Sequence, residues 1–70
     1  MTLEQYARQS PYSIREWVRA HELLKGCGFS EEDTDAVLHA AWKMQLGPYG
    51  YALAAAQLRS HVNAGVPLNA

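Results

Sequence analysis

"FSEEDTDAVLHAAWKMQLG", Phe29–Gly47, is the stretch on which the fold turns. Ser30 carries the hydroxyl of an N-cap, which accepts from a backbone N–H that a helix start leaves orphaned, and Asp33 completes a capping-box pattern. Glu31 and Glu32 fall in the first turn, where the partial positive charge of a helix N-terminus favours carboxylates. Val37, Leu38, Ala41, Trp42 and Met44 or Gln45 then recur at helical spacing and give a broad apolar face. Gly47 followed by Pro48 closes this helix. Pro48 also suits the first position of the next one, where its missing N–H is no loss, so a restart is expected between Pro48 and Tyr51.

Towards the N-terminus the same grammar repeats. Thr2 with Gln5 is a capping box opening a short helix through about Gln9, with Leu3, Tyr6 and Ala7 on one face. "SPYS" breaks the chain there. Ser13 with Glu16 forms another capping box, against a competing start at Ser10 with Pro11 in the first helical position. Ile14, Trp17, Val18, His21 and Leu24 recur at helical spacing, while Arg15, Arg19, Glu22 and Lys25 take the other faces. Gly26 and Gly28 around Cys27 end this helix. Towards the C-terminus, Tyr51, Ala54, Ala55, Leu58 and Val62 make one stripe, and Gly65 with Pro67 stops the helix. Ala52, Ala56 and Ser60 make a separate ridge of small residues at intervals of four. Such a ridge permits close approach of another helix, but alanine is also the best helix former, and the sequence does not say whether this face is buried.

The expected fold is all-α: a small compact bundle of three main helices plus a short N-terminal helix, with residues 1–70 as a single helical domain. Its expected core is Leu3, Tyr6, Ile14, Trp17, Val18, Leu24, Phe29, Val37, Leu38, Ala41, Trp42, Leu53 or Ala54, Leu58 and Val62.

Composition narrows the function classes. The chain has 70 residues and a net charge of −1, a length at which the core is marginal and a charge unlike the basic balance of a general nucleic-acid binder. Cys27 is the only cysteine, which rules out an internal disulfide and suits a reducing compartment. No basic start followed by an apolar run marks a signal peptide, and Met44 to Leu58, interrupted by glycine and proline, is too short to span a membrane. A cytoplasmic protein is expected.

Candidate chemistry is sparse. Cys27, His21, His39 and His61 lack the paired spacing of a structural zinc site. Glu31, Glu32, Asp33 and Asp35 lack the alternating ligands and central glycine of a calcium loop, and read as helix capping and a solvated face. No histidine has a sequence-adjacent nucleophile or carboxylate arrangement for acid–base work, and Cys27 reads as a small hydrophobe in a turn. "GPYG" has neither the lysine nor the preceding strand of a phosphate loop. The expectation is a protein that is not an enzyme, with no cofactor, no metal and no small-molecule substrate.

Two readings remain. The first is a small protein–protein interaction module (an adaptor, inhibitor or assembly factor), whose partner is another protein or a second copy of the chain. Its candidate contacts are Tyr12, Tyr49, Tyr51 and Arg59, residue types that anchor interfaces. The second is DNA binding through the helix from Ser13 to Leu24, with Tyr12, Ser13, Arg15 and Arg19 towards base edges and Arg8 on phosphate. Tyr6, Ala7, Ile14, Arg15 and Trp17 resemble in order the helix-turn-helix of excisionase and MerR-type regulators. The resemblance covers only the N-terminal part of the chain, with a shorter turn and the Ser10–Pro11 region in place of the glycine, and it assigns no family. It implies the DNA reading, against which stands the acidic second half.

Overall fold

The computed structural model describes residues 1–63. Four α-helices follow in order: α1 (Leu3–Arg8), α2 (Ile14–Gly26), α3 (Glu31–Lys43) and α4 (Pro48–Asn63). They form the expected all-α bundle with a short first helix, and α4 begins on Pro48. The stop expected at Gly65 and Pro67 lies outside the described residues.

The N-caps sit where the sequence puts them. Thr2 accepts from the Gln5 N–H at 3.1 Å while its own N–H donates to Gln5 Oε1 at 2.8 Å, closing both halves of the box. Ser13 accepts from the Glu16 N–H at 3.4 Å and Ser30 from the Asp33 N–H at 3.0 Å. Ser10, the competing start, is used otherwise: its hydroxyl oxygen accepts from the Tyr12 N–H at 3.1 Å and from Trp17 Nε1–H at 3.0 Å. A serine in the α1–α2 turn thus satisfies the polar edge of the largest buried side chain.

Two helices end in the same way. After α2, Gly28 adopts φ +89°, its N–H donates to the Lys25 carbonyl at 3.1 Å, and the Phe29 N–H donates to that of Leu24 at 3.1 Å. After α3, Gln45 takes the left-handed position at φ 59°, donating to the Trp42 carbonyl at 3.1 Å, and Leu46 donates to that of Ala41 at 2.9 Å. Both are Schellman closures, in which a residue of positive φ lets two N–H groups satisfy carbonyls of the last turn. The stop expected at Gly47 is therefore made earlier, by Gln45, a residue without glycine's freedom at that backbone angle. Gly47 serves another purpose: a Cβ there would lie 3.5 Å from the Tyr12 ring and 3.3 Å from Glu16 Oε2.

The helix directions follow from side-chain contacts. Arg19 meets Tyr49 near the start of α4, and Arg59 near its end meets Phe29, just past the end of α2. Hence α2 and α4 run parallel and pack directly against each other, and α3, the connection that joins them in sequence, touches both.

The core is Tyr6, Trp17, Ala20, Leu24, Phe29, Leu38, Ala41, Ala52 and Ala56. Tyr6 stacks on Trp17 with ring centroids 4.9 Å apart and planes 14° from parallel, and lies 5.8 Å from the Trp42 ring. A six-residue helix is too short to persist alone in water, so α1 is helical because Tyr6 is buried between α2 and α3. Burying an aromatic side chain of this size removes about 150–250 Å² from water.

Five expectations about the core are overturned: Ile14, Val18, Leu53 or Ala54, Leu58 and Val62 are exposed. Leu58 is 67% exposed, Val62 40% and Leu53 38%, and Ala54 is also exposed; the buried residues of α4 are Ala52 at 0% and Ala56. The ridge of small residues is thus the inner face, although Ser60 at its end is exposed. The cause is volume. The neighbouring elements already fill the centre with Trp17, Leu24, Phe29 and Leu38, and a close-packed interior has room for methyl groups opposite them rather than for more leucine. On α2 the buried row is Trp17, Ala20 and Leu24, which leaves Ile14 42% and Val18 37% exposed. Leu3, Val37 and Trp42 are partly buried against the core. Ala20, Thr34 and Pro48 are buried beyond expectation.

Candidate interaction site

Ser10 braces the turn that joins α1 to α2, and an open apolar groove lies between the two helices. Leu3, Glu4, Ala7 and Arg8 line it from α1, and Ile14 and Val18 from α2, around a volume of about 780 Å³. The floor exists because α2 carries more apolar residues than the core absorbs. Its inward row takes Trp17, Ala20 and Leu24, and Ile14 and Val18 lie on the flank beside it, one turn apart. Glu4 and Arg8, both exposed, sit on the rim one helical turn apart.

The residues singled out from the sequence fall elsewhere, in three places. At the first, Ser13, Arg15, Glu16, Arg19, Tyr49 and Gly50 line a hollow of about 280 Å³ where α2 and α4 both begin. There the Arg19 guanidinium lies 4.5 Å from the Tyr49 ring centroid, a cation–π arrangement. Tyr12, half-buried, faces Gly47 nearby. At the second, Tyr51 packs against the core as a partly buried residue. At the third, the Arg59 guanidinium lies 4.4 Å from the Phe29 centroid, in a crevice shared with Cys27, Ala56 and Ser60. Arg8, expected to contact phosphate beside the DNA-facing residues, lines the apolar groove and not the hollow that Ser13, Arg15 and Arg19 share.

Sequence reasoning missed the groove because Ile14 and Val18 were counted as core.

The titratable groups describe structure rather than chemistry. The Tyr6 hydroxyl donates to Asp35 Oδ1 at 3.5 Å and lies 3.3 Å from His39 Nδ1. Burial, and then the neighbouring Asp35 carboxylate, raise the Tyr6 phenol above its ordinary value. Glu31 pairs with Lys25 at 3.0 Å, and the hydrogen bond and charge of that ammonium hold its carboxyl below the usual range. Cys27 is exposed. Among the described residues, no group of three His, Cys, Asp or Glu side chains is disposed to hold a metal ion, and no helix is long and apolar enough to cross a membrane.

Neither the protein families, nor the curated proteins, nor the solved structures with which the chain was compared include a match to it.

Proposed function

We propose that this chain is a small, non-enzymatic helical protein–protein interaction module that receives an apolar partner surface in the groove between α1 and α2. The observation that carries the reading is the exposure of Ile14 and Val18 beside Leu3 and Ala7 in one concave place. Scattered surface leucines need no explanation, whereas contiguous apolar residues in a groove with a polar rim have the make-up of an interface centre. Two of the sequence-derived contacts, Tyr49 and Arg59, already hold an intramolecular partner on one face, so each is ordered for contact at the other.

The test is a selection of helical peptides from a random library against the full chain, with binding sites mapped by amide chemical shifts. Binders should perturb Leu3, Ala7, Ile14 and Val18, lose affinity on Val18→Asp, and tolerate Gln57→Glu on the exposed face of α4. A selection that yields no binder mapping to these residues rejects the reading.

DNA binding keeps one favourable observation, the gathering of Ser13, Arg15 and Arg19 in one hollow. Against it, Arg19 is stacked on Tyr49 and Glu16 shares the same hollow. A mobility shift at low salt, abolished by Arg15→Ala, would favour DNA; low salt gives phosphate contacts their greatest strength.

A further inference from the structure

We infer that the occupant of the α1–α2 groove is a second copy of the chain, docked about a two-fold axis; this rests on the groove being a protein-binding site. The charge pattern of the rim points there. Glu4 and Arg8 both line the groove, about 6 Å apart along α1 at the helical rise. Glutamate four residues before arginine is the favourable order for an ion pair within a helix, yet the ion pair formed among the described residues joins Lys25 and Glu31. Both rim charges are therefore left facing outward, one at each end of a short apolar edge.

A two-fold axis crossing near the middle of α1 runs it antiparallel to its copy. That places Glu4 against Arg8 of the partner subunit, and Arg8 against Glu4 of the partner subunit, while Ile14 and Val18 meet across the groove. A rim of one sign would repel its own copy; this rim is its own complement, which is the condition an isologous interface must meet. The dimer also answers a physical need, since a chain of this length buries a smaller share of its surface alone than a larger domain does.

The experiment is sedimentation equilibrium of the full chain from micromolar to millimolar concentration at low salt. The wild type should show a reversible monomer–dimer equilibrium. Glu4→Arg and Arg8→Glu should each weaken it about tenfold, because one substitution replaces two rim attractions with two repulsions. An equimolar mixture of the two variants should recover the dimer as a heterodimer, and the double variant E4R/R8E should recover it as a homodimer. Near-UV circular dichroism of the Tyr6–Trp17 stack reports whether α1 stays folded in these variants. Val18→Arg, on the longer α2, should abolish the dimer independently of α1. A wild type that remains monomeric throughout, a dimer that survives Val18→Arg, or a failure of folded variants to recover on mixing would each overturn the inference. Peptide binders that still require Val18, in a chain that stays monomeric, would sink self-docking alone and leave the groove as a site for a different helix.

Discussion

Ala52 and Leu58 are about 120° apart around α4, and exchanging their characters decides which face of that helix is inside. Leu58 is 67% exposed, so only about a third of the 1.5–3 kcal/mol of a fully buried leucine is at stake, or roughly 0.5–1 kcal/mol. Alanine's better helix propensity returns part of this. Leu58→Ala is therefore expected to cost about 0.5 kcal/mol, a fall in Tm of roughly 2–4 °C for a domain of this size. Were Leu58 a core residue, truncation would cost about 2–5 kcal/mol, about half of the roughly 4–10 kcal/mol that a chain of this length possesses. Ala52 is 0% exposed, and Ala52→Leu forces three more carbons into filled space, at about 2 kcal/mol and roughly 8–16 °C in Tm. Urea denaturation followed by tryptophan fluorescence measures both, since Trp17 sits in the same core. If Leu58→Ala lowers stability by about 2 kcal/mol or more while Ala52→Leu is neutral, then α4 turns its leucine face inward and core volume does not select the alanine ridge.

Other outcomes follow from single sites. Gln45→Gly should raise stability by about 0.5–1 kcal/mol, because it removes the Cβ strain of a left-handed residue against a modest gain in unfolded-state entropy; Gly28→Ala, at φ +89° with open space around it, should lower stability by a similar amount, both read from urea midpoints. Ser10→Ala should cost about 1–3 kcal/mol, since Trp17 Nε1–H and the Tyr12 N–H lose their acceptor while the indole stays buried; no change in urea midpoint would mean that water takes over both bonds. The raised Tyr6 phenol contributes stability that is complete below the unfolded tyrosine value of about 10 and is lost as pH rises through its higher folded value. Tyr6→Phe should therefore flatten the decline in stability above that pH while leaving the ring stack, and an unchanged alkaline slope would contradict it.

Where the helices begin, and roughly where they end, was legible in the chain itself. Thr2, Ser13 and Ser30 cap as local chemistry requires, because each bond spans only three residues and needs no tertiary partner. The Schellman closure at Gly28 is likewise written locally. The same closure at Gln45 was not, since glutamine has no preference for positive φ. Which face of α4 turns inward was decided by the tertiary structure alone. Periodicity marked both Leu58–Val62 and Ala52–Ala56 as faces, and side-chain size favoured the wrong one. The inner face of α4 depends on how much volume Trp17, Leu24, Phe29 and Leu38 have already taken, a sum over elements distant in sequence. The groove has the same origin. Ile14 and Val18 belong to an apolar stripe whichever way it is read. That they face open space depends on which row of α2 the core takes, and with Tyr6 fixed on Trp17 that row is Trp17, Ala20 and Leu24.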